Sequence, residues 1–538
     1  MLDGLFDHEK SGLKQWDAPD GVVVGIDLGT TNSVIAAIVD AKVRIITDDK
    51  KHHLHPSVVA FKPNNQIDVG VPARMRRVID PRNTVFSAKR IIGQSFRSQG
   101  VQSALRNLPY EVFEGDNQEP MVKTRAGAFS VVQISTMVLA YLRNLATKQL
   151  GKPVTHCVIT VPANFSEGQR EATRRAAAGA GMQVLRILNE PTAAALAYGQ
   201  KRQLHQRIAV FDFGGGTFDM TVLAVREDLY EVVATGGDPF LGGDDMDHAV
   251  AEHLARQFLQ EHRVDLNADP SAKACLLIAA EQIKMKLSKE NSVRGTLKEL
   301  AYGEGGKPLA LTFDIDRGMF NMLIAPIVDR SLDLVRYVLE DAEIRPEHID
   351  EIILVGGSTR VPLVRERVNQ FFGSKPRGDI NPMEVVAAGA ALQAHALFAP
   401  PDESMASIGL LMDVTSHSLS IATAGGYVEQ LIPKNTTIPA EKTRMFTPAR
   451  DFQEAVKLKV CQGEEKTYDA NTPVGELVLD GLPKVRRGDM KLEVSFLIDA
   501  DGLLQISAKD VATGQTARAT LSVVGVGAAE VEVEAERA

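Results

Sequence analysis

Apolar positions along this chain fall into three textures. The first is short, continuous and β-branched: Val22-Val23-Val24-Gly25-Ile26, Ile208-Ala209-Val210-Phe211 and Ile352-Ile353-Leu354-Val355. Runs of this length, closed by turn residues, read as buried strands. The second recurs every three to four residues. Ile134, Val138, Tyr141, Leu142 and Leu145 share a helical face, and Gly151 supplies a C-terminal stop. Ser166 and Gln169 form a capping-box pattern ahead of an alanine-rich helix that ends near Gly179. After Phe320, the residues Ile324, Val328, Val335 and Leu339 line another stripe. Strands alternating with helices predict an α/β unit with mixed or parallel sheets. From 21 to about 80 the pattern is strand-like, with turns at Asp48-Asp49 and Pro63-Asn64. The third texture is strict alternation. Val456, Leu458 and Val460 alternate with lysines, Leu492, Val494, Phe496 and Ile498 alternate ahead of a turn at Asp501-Gly502, and Leu504, Ile506 and Ala508 alternate after it. This predicts an antiparallel sandwich of about 110 residues.

The change of texture sets the boundaries. Residues 1–20 are a polar extension with the only tryptophan, Trp16, and 21–398 are the α/β unit. A linker spans 399–413: Ala399-Pro400-Pro401-Asp402-Glu403-Ser404 is proline-rich, and a short apolar run from Ile408 to Val414 follows it. The sandwich occupies 414–524 and a small acidic tail 525–538, where no long helical pattern remains. The 538 residues are 44% hydrophobic and 24% charged, a balance that lets each domain build a core. The net charge of −9 argues against non-specific nucleic-acid binding. No apolar run reaches the ~18 residues of a membrane span, and the first residues lack a signal pattern, so the expectation is a cytoplasmic protein with no membrane partner. Cys157, Cys275 and Cys461 read as reduced, structural residues. His52, His53 and His55 cluster without a cysteine or carboxylate at ligand spacing.

The chemistry gathers where strands end. The first strand runs into Asp27-Leu28-Gly29-Thr30-Thr31-Asn32, and the second into Asp212-Phe213-Gly214-Gly215-Gly216-Thr217-Phe218-Asp219. An acid, glycines and threonines thus occur twice, as expected of two halves of a duplicated domain facing each other across a cleft. Such hairpins offer backbone N–H groups to an anion, and an acid at a strand end holds a hydrated cation. Gly356-Gly357-Ser358-Thr359-Arg360 and Leu241-Gly242-Gly243-Asp244 are further glycine turns. Lys89 stands among apolar neighbours, read either as a solvated lysine or as one aimed at a phosphate. Glu190 precedes Pro191 at a strand–helix break, and Glu281, Lys284 and Ser288 share a helical face. There is no P-loop, dinucleotide fingerprint or nucleophile elbow. Phosphoryl transfer to water needs positioning and charge neutralisation above all. Two hairpins clamping phosphates, Asp27, Asp212 and Asp219 holding cations through water, and Lys89 and Glu190 placing the attacking water make the inventory of a slow ATPase.

In order, GIDLGTTNS, AKRIIG, VPANF, NEPTAAALAYG, DFGGGTFD, LGGDDMD, LVGGSTR, LLMDVT, IPKNTTIP, QGE and ISAKD resemble the 70-kDa heat-shock chaperone family of the bacterial DnaK type, over roughly 22 to 520. The resemblance implies an actin-like, two-lobed ATPase domain joined by an apolar linker to a β-sandwich that grips extended hydrophobic peptides. It implies ATP and Mg2+ as cofactors, K+ as a further ion, and unfolded polypeptide, a J-domain co-chaperone and a nucleotide exchange factor as partners. By the same resemblance, Lys89, Glu190, Thr217 and Asp212 are catalytic, and Asp27, Asp212 and Asp219 bind ions. Thr30, Thr31, Asn32 and Gly214, Gly215, Gly216 and Thr217 contact phosphate. Gly243, Glu281, Lys284, Ser288, Gly356, Gly357, Ser358 and Arg360 serve the nucleotide. Pro162, Arg170 and Asp413 relay nucleotide state to the linker, and Arg186, Asn189 and Asp413 dock a J-domain. Ile421, Thr423, Ala424, Phe446, Ala449, Val456 and Leu458 line the peptide cleft, with ordinary sandwich core as the plainer alternative. Departures stand out. Met285 replaces an adenine-stacking arginine, Met383 an aspartate, Asn164 a tyrosine, Ala424 a bulkier arch residue, and Ser416-His417 a Pro-Leu pair. The family's helical lid has no counterpart here, so bound peptide is expected to leave quickly. A low-turnover ATP-holding regulator, akin to the family's exchange-factor relatives, and a small-molecule kinase of the same superfold are the alternatives.

Overall fold

The computed structural model describes residues 21–519 apart from 200–204, 227–228, 267–268, 375, 378–380, 399–409, 449, 481, 487, 500–503 and 515. The extension 1–20, the proline-rich part of the linker, the Asp501-Gly502 turn, Ala449 and the tail 525–538, with the expectation of a missing lid, lie outside the described residues. The α/β unit is built twice on one plan. In the first lobe Val22–Asp27, Asn32–Val39 and Lys42–Ile45 form an antiparallel meander, and Val154–Val161 and Gln183–Asn189 extend it in parallel. In the second, His205–Phe213, Phe218–Arg226 and Leu229–Asp238 form the meander, and Glu351–Val355 runs parallel to its first strand. Near-continuous apolar runs suit these strands because helices cover their faces. Phe211, Phe213 and Phe218 are fully buried in the second lobe, with ring centroids 4.9–6.0 Å apart.

The helices follow the periodicity. Val131–Leu150 begins at a Ser130–Gln133 capping box and ends at Gly151, whose φ of 69° is the left-handed stop a glycine accepts without strain. Glu167–Gly179 opens on the Ser166–Gln169 box. One segment corrects the sequence reading: Val71–Ile79 is a helix, not strand-like. Gly70, at φ 79°, turns the chain into it and Pro72 pre-sets its first turn. Its arginines and its exposed Met75 and Ile79 leave a weak apolar signal.

Two helices, Glu190–Gly199 and Val385–Phe398, run between the lobes and are almost wholly buried. Their small residues let backbones touch. A methyl on Gly389 would lie 1.8 Å from the Ala193 carbonyl oxygen, and one on Gly25 would lie 2.0 Å from the Ala391 nitrogen. Val23, Val158 and Leu188 of the first lobe thereby share a core with Val210, Ile353 and Val355 of the second.

After the linker comes a sandwich of two four-stranded antiparallel sheets. The linker itself forms the strand Leu410–Val414. It pairs in parallel with Leu229–Glu231 at the edge of the second lobe, and its Asp413 and Val414 pair antiparallel with Ile438 and Thr437 of the sandwich. Lys434 and Asn435 reach Asp341 of the second lobe, at 3.4 and 2.9 Å. The two domains are therefore docked, with the linker stitched into both.

Candidate functional site: a cleft between two hairpins

The two glycine-threonine turns meet face to face. A methyl on Gly29 would sit 2.0 Å from the Asn32 carbonyl oxygen, so the first turn closes only around glycine. In the second, the Gly214 amide donates to the Thr217 carbonyl at 3.0 Å. Methyls on Gly215 and Gly216 would fall 1.9 Å from Thr31 Oγ1 and 2.6 Å from Thr30 Cγ2. The other glycine turns brace the second hairpin. The amides of Gly243 and Asp244 donate to the carbonyls of Gly214 and Gly215, at 3.0 and 2.7 Å, and Ser358 Oγ donates to Gly214 at 2.7 Å. A side chain on Gly356, at φ 83°, would collide with the Phe213 carbonyl.

Below the hairpins lies a knot of charge. Asp212 and Asp219 face each other across the hairpin strands, Asp27 ends the first strand, and Glu190 heads a crossing helix. Lys89 is buried on a single turn, Ala88–Arg90, not on a solvated helix, and donates to Glu190 Oε1 at 2.6 Å. One ammonium among four carboxylates leaves the site short of positive charge. Burial, then the nearby Glu190, pushes Asp27 up to about 7 and Asp219 to about 8. Asp212 rises well above the carboxylate range for the same reasons, with Asp219 adding to them. Thr31 Oγ1 is buried with no hydrogen-bond partner among the described residues. A pocket poor in cations, with oxygen ligands and an idle hydroxyl at its roof, fits a magnesium-bound polyphosphate.

The residues that the resemblance assigns to the nucleoside gather on the second lobe. Lys284 Nζ reaches Asp247 at 2.7 Å and the Gly243 carbonyl at 2.9 Å, and Ser288 Oγ donates to the Lys284 carbonyl at 2.9 Å. Glu281 is clasped across the cleft by Arg74 and Arg77, at 2.6 and 3.4 Å. Arg360 donates to Asn381 at 3.0 Å, and Met285 is 58% exposed. Sequence reasoning missed a second clasp. Arg90 donates to Asp245 at 2.5 Å and to the Gly216 carbonyl at 3.0 Å, and Ser87 donates to Asp244 at 2.7 Å. Its signal was an arginine beside Lys89 and an acid pair after Gly243. Only the fold joins residues so distant in sequence.

Arg170, Asn189 and Asp413, which the resemblance assigns to relay and docking roles, also come together. Arg170 donates to Asn189 Oδ1 at 2.7 Å and to the Ala163 carbonyl at 3.3 Å, and Asn189 Nδ2 donates to Asp413 of the linker at 2.7 Å. Asn189 adjoins Glu190, so the linker lies within a few bonds of the charged knot. Arg186 sits near Asp413, whose carboxyl burial raises. In the sandwich Ile421, Val456 and Leu458 are buried and Phe446 packs on the same core. Thr423 Oγ1 donates to the Tyr427 carbonyl at 3.1 Å.

A duplicated α/β clamp with paired glycine-threonine hairpins, stitched by a strand to a β-sandwich, defines a two-domain protein of the actin-like ATPase class. A family model described as Hsp70 protein matches residues 23–535, and the chain belongs to that family. Members of the family are chaperones and ATPases that bind ATP with Mg2+, unfolded peptides and co-chaperones. Among the described residues no helix is long and apolar enough to cross a membrane.

Proposed function

We propose that this protein is an ATP-dependent molecular chaperone. It hydrolyses ATP slowly in the cleft and binds short, extended, hydrophobic segments of unfolded proteins in the sandwich. The observation that carries the reading is the linker strand Leu410–Val414, hydrogen-bonded at once to the ATPase lobe and to the sandwich. A strand shared by two domains passes a change in either one to the other. The hairpin amides and Thr30, Thr31 and Thr217 bind the phosphates. Asp27, Asp212 and Asp219 hold hydrated Mg2+, which supplies charge neutralisation for the polyphosphate. Lys89 and Glu190 orient the attacking water, and Thr217 sits against the terminal phosphate. Peptide contacts fall to Ile421, Thr423, Phe446, Val456 and Leu458, and a J-domain partner reads Arg186, Asn189 and Asp413.

The test is ATP turnover with and without an unfolded apolar peptide. Stimulation by peptide is expected in the parent. Lys89→Ala should still bind ATP while single-turnover hydrolysis falls on the order of 10²–10³-fold, as for loss of a group that stabilises developing charge. Parent-like hydrolysis by Lys89→Ala would remove the proposed chemistry. One observation favours a second reading, a regulator that holds nucleotide with little turnover: the exposed Met285 offers no cation to stack on a base. Single-turnover hydrolysis by the parent decides between the two.

A further inference from the structure

One contact between the domains leads straight into the ATP cleft. Asn164, on the turn after the strand Val154–Val161, donates its backbone N–H to Asp219 Oδ1 at 3.1 Å and its side-chain amide to the Gly237 carbonyl at 3.1 Å. Its own carbonyl turns outward to the sandwich, where His417 Nε2 lies 3.4 Å away. Because a carbonyl only accepts, Nε2 carries the proton in the neutral ring. A three-residue path therefore runs from the sandwich to the charged knot: the His417 imidazole, the Asn164 backbone on both sides of its Cα, and the Asp219 carboxylate. His417 lines a small polar pocket at the junction together with Glu167, Arg170, Asn189, Asp413 and Gln462.

The groups that face this imidazole come from every element around it. On the sandwich side are Glu464 and Lys434. Glu464 is already engaged by the Ser418 amide and hydroxyl, at 2.8 and 2.7 Å, and Lys434 is turned towards Asp341. On the lobe side are the cationic Arg170 and the acid Glu167, and the linker brings Asp413. A protonated ring would add a positive charge beside the cationic Arg170 and Lys434, which disfavour it. Burial, with Lys434 and Arg170 adding to it, outweighs the Asn164 hydrogen bond and Glu464, which both favour the proton, and holds the imidazole below its ordinary value.

We propose that His417 is a positioning residue for the nucleotide site and an acid-sensitive latch between the domains: its neutral ring braces the carbonyl of Asn164, the residue whose amide holds Asp219, and protonation loosens docking. The inference rests on the reading that the linker couples the two domains. The sign follows from linkage. The docked state disfavours the proton, so docking is at full strength above the free imidazole value of about 6.5 and weakens as pH falls through it. Glu167 opposes this. Burial, with Arg170 and the Leu504 amide working against it, raises its carboxyl to about 7 in the docked form, so acid favours docking at that residue. Asp413 acts in the same sense. The contribution of His417 is therefore read as a difference between variants.

The experiment uses the full chain with Mg2+ and a non-hydrolysable ATP analogue. Hydrogen-exchange protection of the amides of Leu410–Val414, corrected for intrinsic rates, is followed from pH 7.5 to 5.5 in the parent, His417→Gln and His417→Leu. Gln keeps a donor towards Asn164 but does not titrate. The parent should lose about tenfold more protection than His417→Gln across that range, the effect of one proton excluded from the docked state. His417→Gln should hydrolyse ATP like the parent at pH 7.5, while His417→Leu, without the donor, should be slower. Coincident pH profiles with protection intact at pH 7.5 would overturn the role of His417 alone. No protection in the parent at pH 7.5 would overturn the coupling reading, and this inference with it.

Discussion

At the scale of single residues, the cleft shows how burial turns ordinary acids into ion ligands in waiting. Asp27 and Asp219 keep their protons near neutrality because desolvation and Glu190 disfavour their charged forms. A hydrated cation needs those carboxylates ionised, so binding must expel protons. Affinity for Mg-ATP is expected to rise as pH climbs through about 7 to about 8, where Asp27 and Asp219 titrate. Calorimetric titration in buffers of different ionisation enthalpy should show proton release at pH 7. Pairing Lys89 with Glu190 is the other residue-scale device: a buried ammonium is tolerated only beside its counter-ion. This part of the site was partly legible in sequence. Strand ends followed by Asp, Gly and Thr announced the hairpins and their acids. That Lys89 faces Glu190, and that Arg90 clasps Asp245, was not legible. Charge complementarity between distant segments leaves no periodic trace.

At the scale of elements, the linker strand matters most. Its apolar letters and proline-rich approach marked a boundary, and alternation predicted the sandwich beyond it. Nothing in the local pattern said that Leu410–Val414 would pair with both neighbours. A strand's partners are a tertiary property. The helix Val71–Ile79 was missed for a related reason: its arginines serve Glu281 across the cleft, so function dilutes the apolar stripe that would have revealed it. The linker's anchorage is open to test. Asn189 bonds both Arg170 and Asp413. Asn189→Ala leaves the linker carboxylate without that donor, at about 1 kcal/mol for one such bond. Exchange of the Leu410–Val414 amides in the ATP-analogue state should quicken about fivefold. Unfolding of the second lobe and of the sandwich should change far less, because Asn189 lies in neither.

At the scale of the whole molecule, the duplication makes a hinge. Two small-residue helices cross where the lobes meet and their backbones nearly touch at Gly389–Ala193, while Ala391 nearly touches Gly25 of the first strand. The lobes can rock about such a crossing but cannot part without opening a shared core. Gly389→Ala puts a methyl where only 1.8 Å is free. It should cost about 1–3 kcal/mol, seen as a lower first transition in calorimetry, with the sandwich transition unmoved if the domains melt separately. Gly389→Ser should be worse.

The shared linker strand has one more consequence. While it lies against Leu229–Glu231, the second lobe has no bare sheet edge at that position. Release strips the cover, and a line of backbone donors and acceptors then faces solvent, a template for any extended chain. The best-fitting complement is the matching stretch of a neighbouring copy, already cut to the right register. Under the proposed function, each release of the linker would open a brief window for strand exchange between molecules, and crowding and the time spent apart would then govern how faithfully each molecule closes on itself.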